Sequence, residues 1–374
     1  MAFGKKKAEN PEPKVVVAVP TTDLEKFKRI FALGAALDKK HETTNSLIRM
    51  GNKNIVRIPS IQTNLPTFDH DVLVCGGIPR GRVIEIFGPE SSGKTTTCLH
   101  IIAQAQQQGD ICAIVDAEHA LDPGYAHKLG VNVDNLVISQ PGSGEKGLQV
   151  VDELVKSQCV GLIVVDSVAA LVPEAELEGD MGDNHVGLQA RMVSQAMRKL
   201  TASCDVNKVT VIFINQIREK IGTMYGNPET TTGGRALKFY SSVRIDIRRR
   251  EEIKLGTTLI GHQLRLKAVK NKVGTPMRET TIDLYYPDTT FPCGLDTVGD
   301  LISYASKRGL FEMSGSWYSM DLGNVGEDKK PLGVERLANG LPNLKERLRD
   351  DQKALTIIRK KVAKLAAADA EVKI

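Results

Sequence analysis

Apolar positions along the chain fall into two patterns. RVIEIF (82–87), CAIVD (112–116), LVIS (136–139), GLIVVD (161–166) and VTVIFIN (209–215) are apolar almost throughout. Strands of a parallel sheet covered on both faces read this way. Between them, 94–108, 145–157 and 187–204 carry helical periodicity. Later runs, VRIDIR (243–248), LRLKAVK (264–270) and TIDLYY (281–286), alternate polar and apolar residues and predict an antiparallel extension of the sheet. The fold class predicted is α/β, with a mostly parallel central sheet. Upstream, 21–50 predicts a charged amphipathic helix capped by Thr22 or Asp23, then a short element; Pro59 and Pro66 mark a joint. From about residue 291 the texture changes to a smaller α+β domain with a basic end, RKKVAKLAAADAEVKI.

One segment does not fit a packed domain. NQIREKIGTMYGNPETTTGG (215–234) follows a core strand and offers little to bury. Loops this long inside compact domains are functional or disordered. PEAELEGDMGDNHVG (173–187) is a second such segment, acidic and punctuated by glycine. On the helix after it, Arg191, Ser194 and Arg198 share one face, and Leu188, Met192, Ala196 and Leu200 are expected to pack on the core.

Composition adds little: 41% hydrophobic, 25% charged, in 374 residues. No run of about 18 apolar residues exists to span a membrane, and the basic N-terminus lacks a secretory apolar segment. The six cysteines lie far apart without a C-x-x-C pair, the usage of a reduced cytoplasmic protein. A net charge of +5 permits a nucleic-acid partner without requiring one.

Chemistry enters at GPESSGKTT: Gly88, Pro89, Glu90, Ser91, Ser92, Gly93, Lys94, Thr95 and Thr96. This phosphate loop follows a strand and opens a helix, where its backbone N–H groups can cradle phosphates. Lys94 would reach the β- and γ-phosphates, and Thr95 would ligate Mg²⁺. Asp166, ending the strand of GLIVVDS, is the second candidate for the Mg²⁺ shell. DAEHALD supplies Glu118 as candidate base, with a solvated loop acid as the alternative; His119 reads as structural. Gln216 falls at another strand end, near where a γ-phosphate would lie, although a lone Gln is more often a surface amide.

Arginines at the loop bases, Arg191, Arg198, Arg218 and Arg235, together with Lys220, outline a groove for a phosphate backbone. Tyr225 is the one aromatic residue in the longer loop, so stacking is not its main grip. Arg248, Arg249, Arg265, Lys267, Lys270 and Lys272 lie on the late strands, where basic residues can instead guard exposed edges against aggregation.

Taken together, GPESSGKTT, DAEHALDP, VVDSVAAL, VSQAMRKL, FINQIR, GNPETTTGG, ALKFY and VKNKV resemble the bacterial RecA recombinase family, nearly continuously from Gly76 to Lys272. GNPETTTGG is not a general ATPase signature. The resemblance implies a RecA-type P-loop core over 58–290, with 1–57 as a helix-strand oligomerisation segment and 291–374 as a C-terminal domain. It implies a cytoplasmic, ATP- and Mg²⁺-dependent DNA recombination and repair protein active in the SOS response. Such a protein forms a helical filament on single-stranded DNA, pairs it with homologous duplex and exchanges strands. Glu118 would activate water and Gln216 would sense the γ-phosphate. Asp122 and Tyr125 would contact adenine, and Lys270 and Lys272 would reach the neighbouring subunit's ATP. The segments 173–187 and 217–235 would be the DNA-binding loops. Val186 and Ile221 would wedge between bases, and Arg191, Ser194, Arg198, Gly233, Gly234 and Arg235 would hold the backbone. Arg248, Arg249, Arg265 and Lys267 match the secondary site for duplex, and Phe239 a subunit interface. A LexA-like repressor and single-strand-binding or mediator proteins are the implied partners.

The chain departs from that pattern in places. Residues 21–75 match loosely, with SLIRMG the clearest echo; Arg235 replaces a small polar residue; and the tail is basic where many members are acidic. The divergent start suits a phage-encoded or lineage-specific member. Two rival readings stand beside the recombinase. A ring-forming helicase or branch-migration ATPase would bring a zinc-binding cysteine set or a large extra domain. A non-hydrolysing filament scaffold would not need Glu118, Lys94 and Asp166.

Overall fold

The computed structural model describes residues 21–41, 47, 58–180, 187–219, 229–287, 289, 291–323 and 333–372. Two compact units are present, 1–57 and 58–374. In the first, helix α1 (Thr21–His41) stacks the rings of Phe27 and Phe31, with centroids 6.3 Å apart. It spans Thr21 to His41, so Thr22 and Asp23 fall within it. The segment's expected strand lies outside the described residues.

The second unit begins with a two-stranded antiparallel ribbon, β1 (Ser60–Ile61) and β2 (Ile78–Pro79), around a π-helical turn at Thr67–Val72. The core then alternates β3 (Val83–Gly88), α2 (Lys94–Gln107), β4 (Cys112–Asp116), α3 (Pro123–Lys128), β5 (Leu136–Ser139), α4 (Gly144–Ser157) and β6 (Leu162–Asp166). It continues through α5 (Glu174–Glu178), α6 (Leu188–Asn207), β7 (Thr210–Glu219), β8 (Glu229–Thr231) and α7 (Ala236–Tyr240). Three long strands follow: β9 (Val243–Leu255), β10 (Thr258–Asn271) and β11 (Arg278–Tyr285).

With the short β12 (Gly294–Leu295) these strands form one sheet in the order β12-β11-β10-β9-β3-β7-β6-β4-β5, and β8 pairs with β7. Pairing is parallel from β9 to β5 and antiparallel from β9 to β12. The nearly unbroken apolar runs now have a cause. Successive residues of a strand face opposite ways, and both faces are covered. Ile84, Ile86, Ile114, Val164, Ile212 and Ile214 join a cluster with Leu99, Ile101 and Ile102 of α2. Their strand neighbours Val83, Val115, Val165, Val211 and Phe213 join another, with Val151 and Val155 of α4 and Val193 and Met197 of α6.

Two expectations shift. The stripe α6 buries is Val193, Met197, Leu200 and Cys204; Leu188, Met192 and Ala196 flank it, half-buried. The helix therefore sits rotated from the predicted face. And β7 runs to Glu219, past the predicted end, because Ile217, Arg218 and Glu219 pair with Thr231, Thr230 and Glu229 of β8.

The C-terminal part comprises α8 (Thr297–Lys307), a three-stranded sheet of β13 (Glu312–Ser314), β14 (Trp317–Asp321) and β15 (Val334–Asn339), then α9 (Leu341–Asp350) and α10 (Gln352–Val372). It has its own apolar cluster around Tyr304, Leu344 and Ile358. Polar ties bind it to the core's π-helical turn. Asp300 accepts the Thr67 N–H at 2.9 Å, and Arg308 pairs with Asp71 at 2.8 Å.

Candidate active site and nucleic-acid interface

β3 delivers the phosphate loop. A Cβ on Gly88 would lie 2.2 Å from the Ile247 carbonyl oxygen, so only glycine fits where β3 passes β9. Ser91 and Gly93 adopt left-handed backbone, with φ of 54° and 85°, and α2 opens at Lys94. The Lys94 ammonium donates to the carbonyls of Pro89 (2.6 Å) and Gly88 (3.3 Å). Burial lowers its pKa, opposed by the carboxylates of Asp166 and Glu118. Ser92 Oγ is buried and has no hydrogen-bond partner among the described residues, and Pro89, Glu90 and Ser91 are exposed. A helix N-terminus, a buried cation and an orphaned hydroxyl lie together in this loop, a donor set that suits an anion of phosphate type.

Parallel register brings the acids together. Asp116 and Asp166 are partners across β4 and β6. Thr95 Oγ1 donates to Asp166 Oδ2 at 2.8 Å, tying the phosphate loop's helix to β6. Burial raises Asp166 to about 6; nearby Glu118 and Asp116 add to the rise, and Thr95 and Lys94 oppose it. Buried Asp116 accepts the N–H groups of Ala120 and Leu121 at 3.3 Å and the Gln140 amide at 3.1 Å, which fixes the turn carrying Glu118. His119 is exposed, at φ 56° in that turn.

Glu118 itself is exposed. Its Oε1 accepts the Ser167 hydroxyl at 2.5 Å and the Gln216 amide at 3.1 Å. Gln216 pairs in register with Gly88, so the amide stands beside the first glycine of the phosphate loop. Ser167 escaped the sequence reading; its place directly after Asp166 was the available signal. On the adjoining side, the Tyr125 hydroxyl bonds Thr96 Oγ1 at 3.0 Å, and Asp122 caps α3 by accepting from Gly124 and Tyr125 N–H.

The two loops share a base. Gly233 and Gly234 have φ of 73° and 75°. A Cβ on Gly233 would lie 2.9 Å from Val168, and one on Gly234 would lie 2.8 Å from Ala190 of α6. The far end of the longer loop thus lies against the helix that ends the shorter one. Arg191, Arg198, Arg218 and Arg235 are exposed, and Ser194 is half-buried. Val186, Lys220 and Ile221 lie outside the described residues, as does Tyr225.

β9 lies between β3 and β10, and β10 between β9 and β11. Arg265 and Lys267 are paired on both sides, but β3 meets β9 only as far as Asp246, so Arg248 and Arg249 lie where β9 pairs with β10 alone, and Lys272 follows the end of β10. Arg248 forks onto both oxygens of Glu229 at 2.8 and 2.6 Å and reaches Asp246. Arg265 pairs with Asp246 at 2.9 Å, Lys267 with Glu279 at 3.3 Å and Arg249 with Glu252 at 3.5 Å. Lys270 donates to the carbonyls of Lys238 and Phe239, closing the end of α7. Burial pushes Lys270 down to about 8, helped by the charges of Lys272 and Arg244. Lys272 is exposed, and so is Phe239, at 68%.

The profile of the RecA N-terminal domain matches residues 31–290, well over half of the chain. The chain belongs to the RecA family. It is similar to the RecA protein of Cutibacterium acnes, 49% identical over 332 residues that cover 88% of this chain and 92% of that protein. The RecA protein of Gluconacetobacter polyoxogenes is 51% identical over 326 residues, covering 87% and 88%. That of Clostridium tetani is 48% identical over 333 residues, covering 89% and 90%. A solved structure of the RadB recombinase aligns with 63% of this chain and 98% of its own at a TM-score of 0.47 and 19% identity, too distant to add to the argument. As a RecA-family member the chain is an ATP-dependent DNA recombinase and a DNA-dependent ATPase, which binds DNA and self-associates. Among the described residues no helix is long and apolar enough to cross a membrane.

Proposed function

We infer that this chain assembles as a helical filament on single-stranded DNA, pairs that strand with homologous duplex and exchanges strands, with ATP bound between subunits. The observation that carries the reading is the position of Gln216. One amide stands beside Gly88 of the phosphate loop, bonds Glu118 at 3.1 Å and lies on the strand that leads into the 217–235 loop.

In this reading each residue has a role. Lys94 exchanges its carbonyl partners for the β- and γ-phosphates, while Gly88 to Thr96 wrap the phosphates. Asp122 and Tyr125 flank the base. Thr95 and Asp166 offer two oxygens for Mg²⁺, and no group of three or more His, Cys, Asp or Glu side chains suited to a metal occurs among the described residues. That donor set fits a cation that completes its shell from phosphate and water; bound there, it would supply charge for the phosphoryl oxygens. Glu118, held by Ser167, orients water and accepts its proton, and Gln216 turns toward the γ-phosphate. Lys270 and Lys272 act across the interface, beside exposed Phe239.

Arg191, Ser194, Arg198, Arg218, Lys220, Gly233, Gly234 and Arg235 hold the DNA backbone, and Val186 and Ile221 part its bases. Arg248, Arg249, Arg265 and Lys267 receive the duplex by exchanging their carboxylate partners for phosphates. Residues 1–57 serve oligomerisation, 58–290 the ATPase and 291–374 a C-terminal domain. α1 carries exposed Leu24, Ile30 and Leu33, suited to a neighbouring subunit. The protein works in the cytoplasm, with a LexA-like repressor and single-strand-binding or mediator proteins as partners.

Electron microscopy with single-stranded DNA and a slowly hydrolysed ATP analogue tests this. Helical filaments, with strand exchange when ATP is supplied, are expected. Closed rings would favour a helicase-type ATPase, and filaments without turnover a scaffold; either would overturn the reading.

A further inference from the structure

The base of the 217–235 loop rests on a buried polar chain that the proposed reaction does not use. Glu85, on β3, has its side chain at 0% exposure. Its Oε2 meets Arg244 Nε of β9 at 2.5 Å, and its Oε1 accepts from Asn215 Nδ2 of β7 at 2.9 Å. Asn215 also donates to the Thr232 carbonyl at 3.1 Å, and its Oδ1 accepts the Gln216 N–H at 2.9 Å and the Thr232 hydroxyl. Every donor and acceptor position of this amide is thus in use.

The chemistry dictates an orientation. An ionised carboxylate only accepts, so Asn215 must turn its NH₂ to Glu85. Its oxygen then faces the Gln216 N–H and the Thr232 hydroxyl. That single orientation joins the two ends of the loop, residue 216 at its start and residue 232 near its close. At its other end the network stays on the same face of the sheet, where Arg244 is the register partner of both Glu85 and Lys270. A buried ion pair is weak evidence for stability, since an apolar replacement often stabilises as well. Fixing one geometry is the better account of this one.

We propose that Glu85 and Asn215 are positioning residues that clamp the two ends of the 217–235 loop together and thereby set the Gln216 amide, coupling DNA in the loop to ATP turnover. This rests on the proposed roles of Gln216 and the loop. Glu85 touches neither nucleotide nor DNA and acts through Asn215. Replacing it with glutamine keeps the shape but sets an NH₂ against Arg244 or Asn215, where donors then oppose each other.

The test compares ATP hydrolysis by the full chain with and without single-stranded DNA for wild type, Glu85→Gln, Thr232→Val and Gln216→Ala. Thr232→Val deletes one hydroxyl from the clamp without touching the buried ion pair, so it carries the test should Glu85→Gln fold poorly. For Glu85→Gln, the DNA concentration at half-maximal turnover should rise at least fivefold and the DNA-stimulated rate fall at least fivefold. Thr232→Val should show about half of each effect on a logarithmic scale. DNA-free turnover and the KM for ATP should stay within twofold for both variants. The double variant Glu85→Gln/Arg244→Gln, which restores a donor–acceptor match, should recover part of the stimulation. DNA stimulation lost in Gln216→Ala but intact in both Glu85→Gln and Thr232→Val would overturn the clamp and leave the reading of Gln216 standing. No DNA stimulation in wild type would instead refute that reading itself.

Discussion

Gly234→Ala probes the shared base of the two loops most sharply. The glycine has φ of 75°, which costs an L-residue about 1 kcal/mol. The new methyl would also lie 2.8 Å from the Ala190 Cβ, a rigid neighbour on α6, so overpacking adds at least about 1 kcal/mol. The total, about 2 kcal/mol, is relieved if the loop base lifts away from α6. At about 1.4 kcal/mol per decade, the apparent affinity for single-stranded DNA should then fall about thirtyfold. Fluorescence anisotropy on a labelled oligonucleotide reads the affinity, and a thermal melt reads the share carried by global stability. Ala190→Gly in the same chain removes the close contact but not the strain at φ. The double variant should therefore recover about half of the loss once the cost of Ala190→Gly alone is subtracted. Wild-type affinity together with a wild-type melting temperature would refute the claim that this junction holds the DNA loop.

Three further outcomes follow from the geometry. Glu118→Gln should lower ATP turnover at least about 100-fold while ATP and DNA binding persist; an unchanged rate would remove Glu118 from its role. Glu229→Gln should release Arg248 from its fork, tighten duplex binding about threefold and steepen its salt dependence by up to about one ion, read from anisotropy titrations; weaker binding would contradict it. Burial raises Asp69 to about 7 and Asp300 to about 6, from the usual 3.8. Both bind protons in the fold that they release on unfolding, so their stabilising contribution is full below about pH 4 and is lost as pH rises through those folded values. For Asp69 the span corresponds to about 4 kcal/mol. Asp69→Asn should flatten denaturant midpoints between pH 4 and 7 and raise them at pH 7.5; an unaltered slope would contradict the assignment.

What the sequence shows and what it hides divide along physical lines. The phosphate loop, the acids at strand ends and the parallel core were legible because each depends on residues close in the chain. GPESSGKTT needs only its strand and helix, and β3, β4, β6 and β7 declare themselves by unbroken apolar runs. Features set by distant partners were not legible. β7 continues to Glu219 because Glu229–Thr231 folds back on it, and nothing in 215–219 announces that pairing. The face α6 buries depends on the elements above it, so a helical wheel alone placed Leu188 and Met192 too deep. For the basic residues of the late strands the sequence left an edge role and a binding role open; only the register shows Arg265 and Lys267 paired on both sides and Arg248 and Arg249 past the end of β3. Glu85 and Asn215 sit in apolar runs as isolated polar residues, 130 positions apart, and only the register of β3 and β7 joins them.

The central claim is that DNA in the 217–235 loop and ATP at the phosphate loop communicate through Gln216. The most direct measurement is steady-state ATP hydrolysis by the purified chain, with and without single-stranded DNA, across a salt series. The account predicts a strong DNA-dependent rise that disappears as salt releases the backbone contacts. A rate indifferent to DNA at every salt concentration would contradict it.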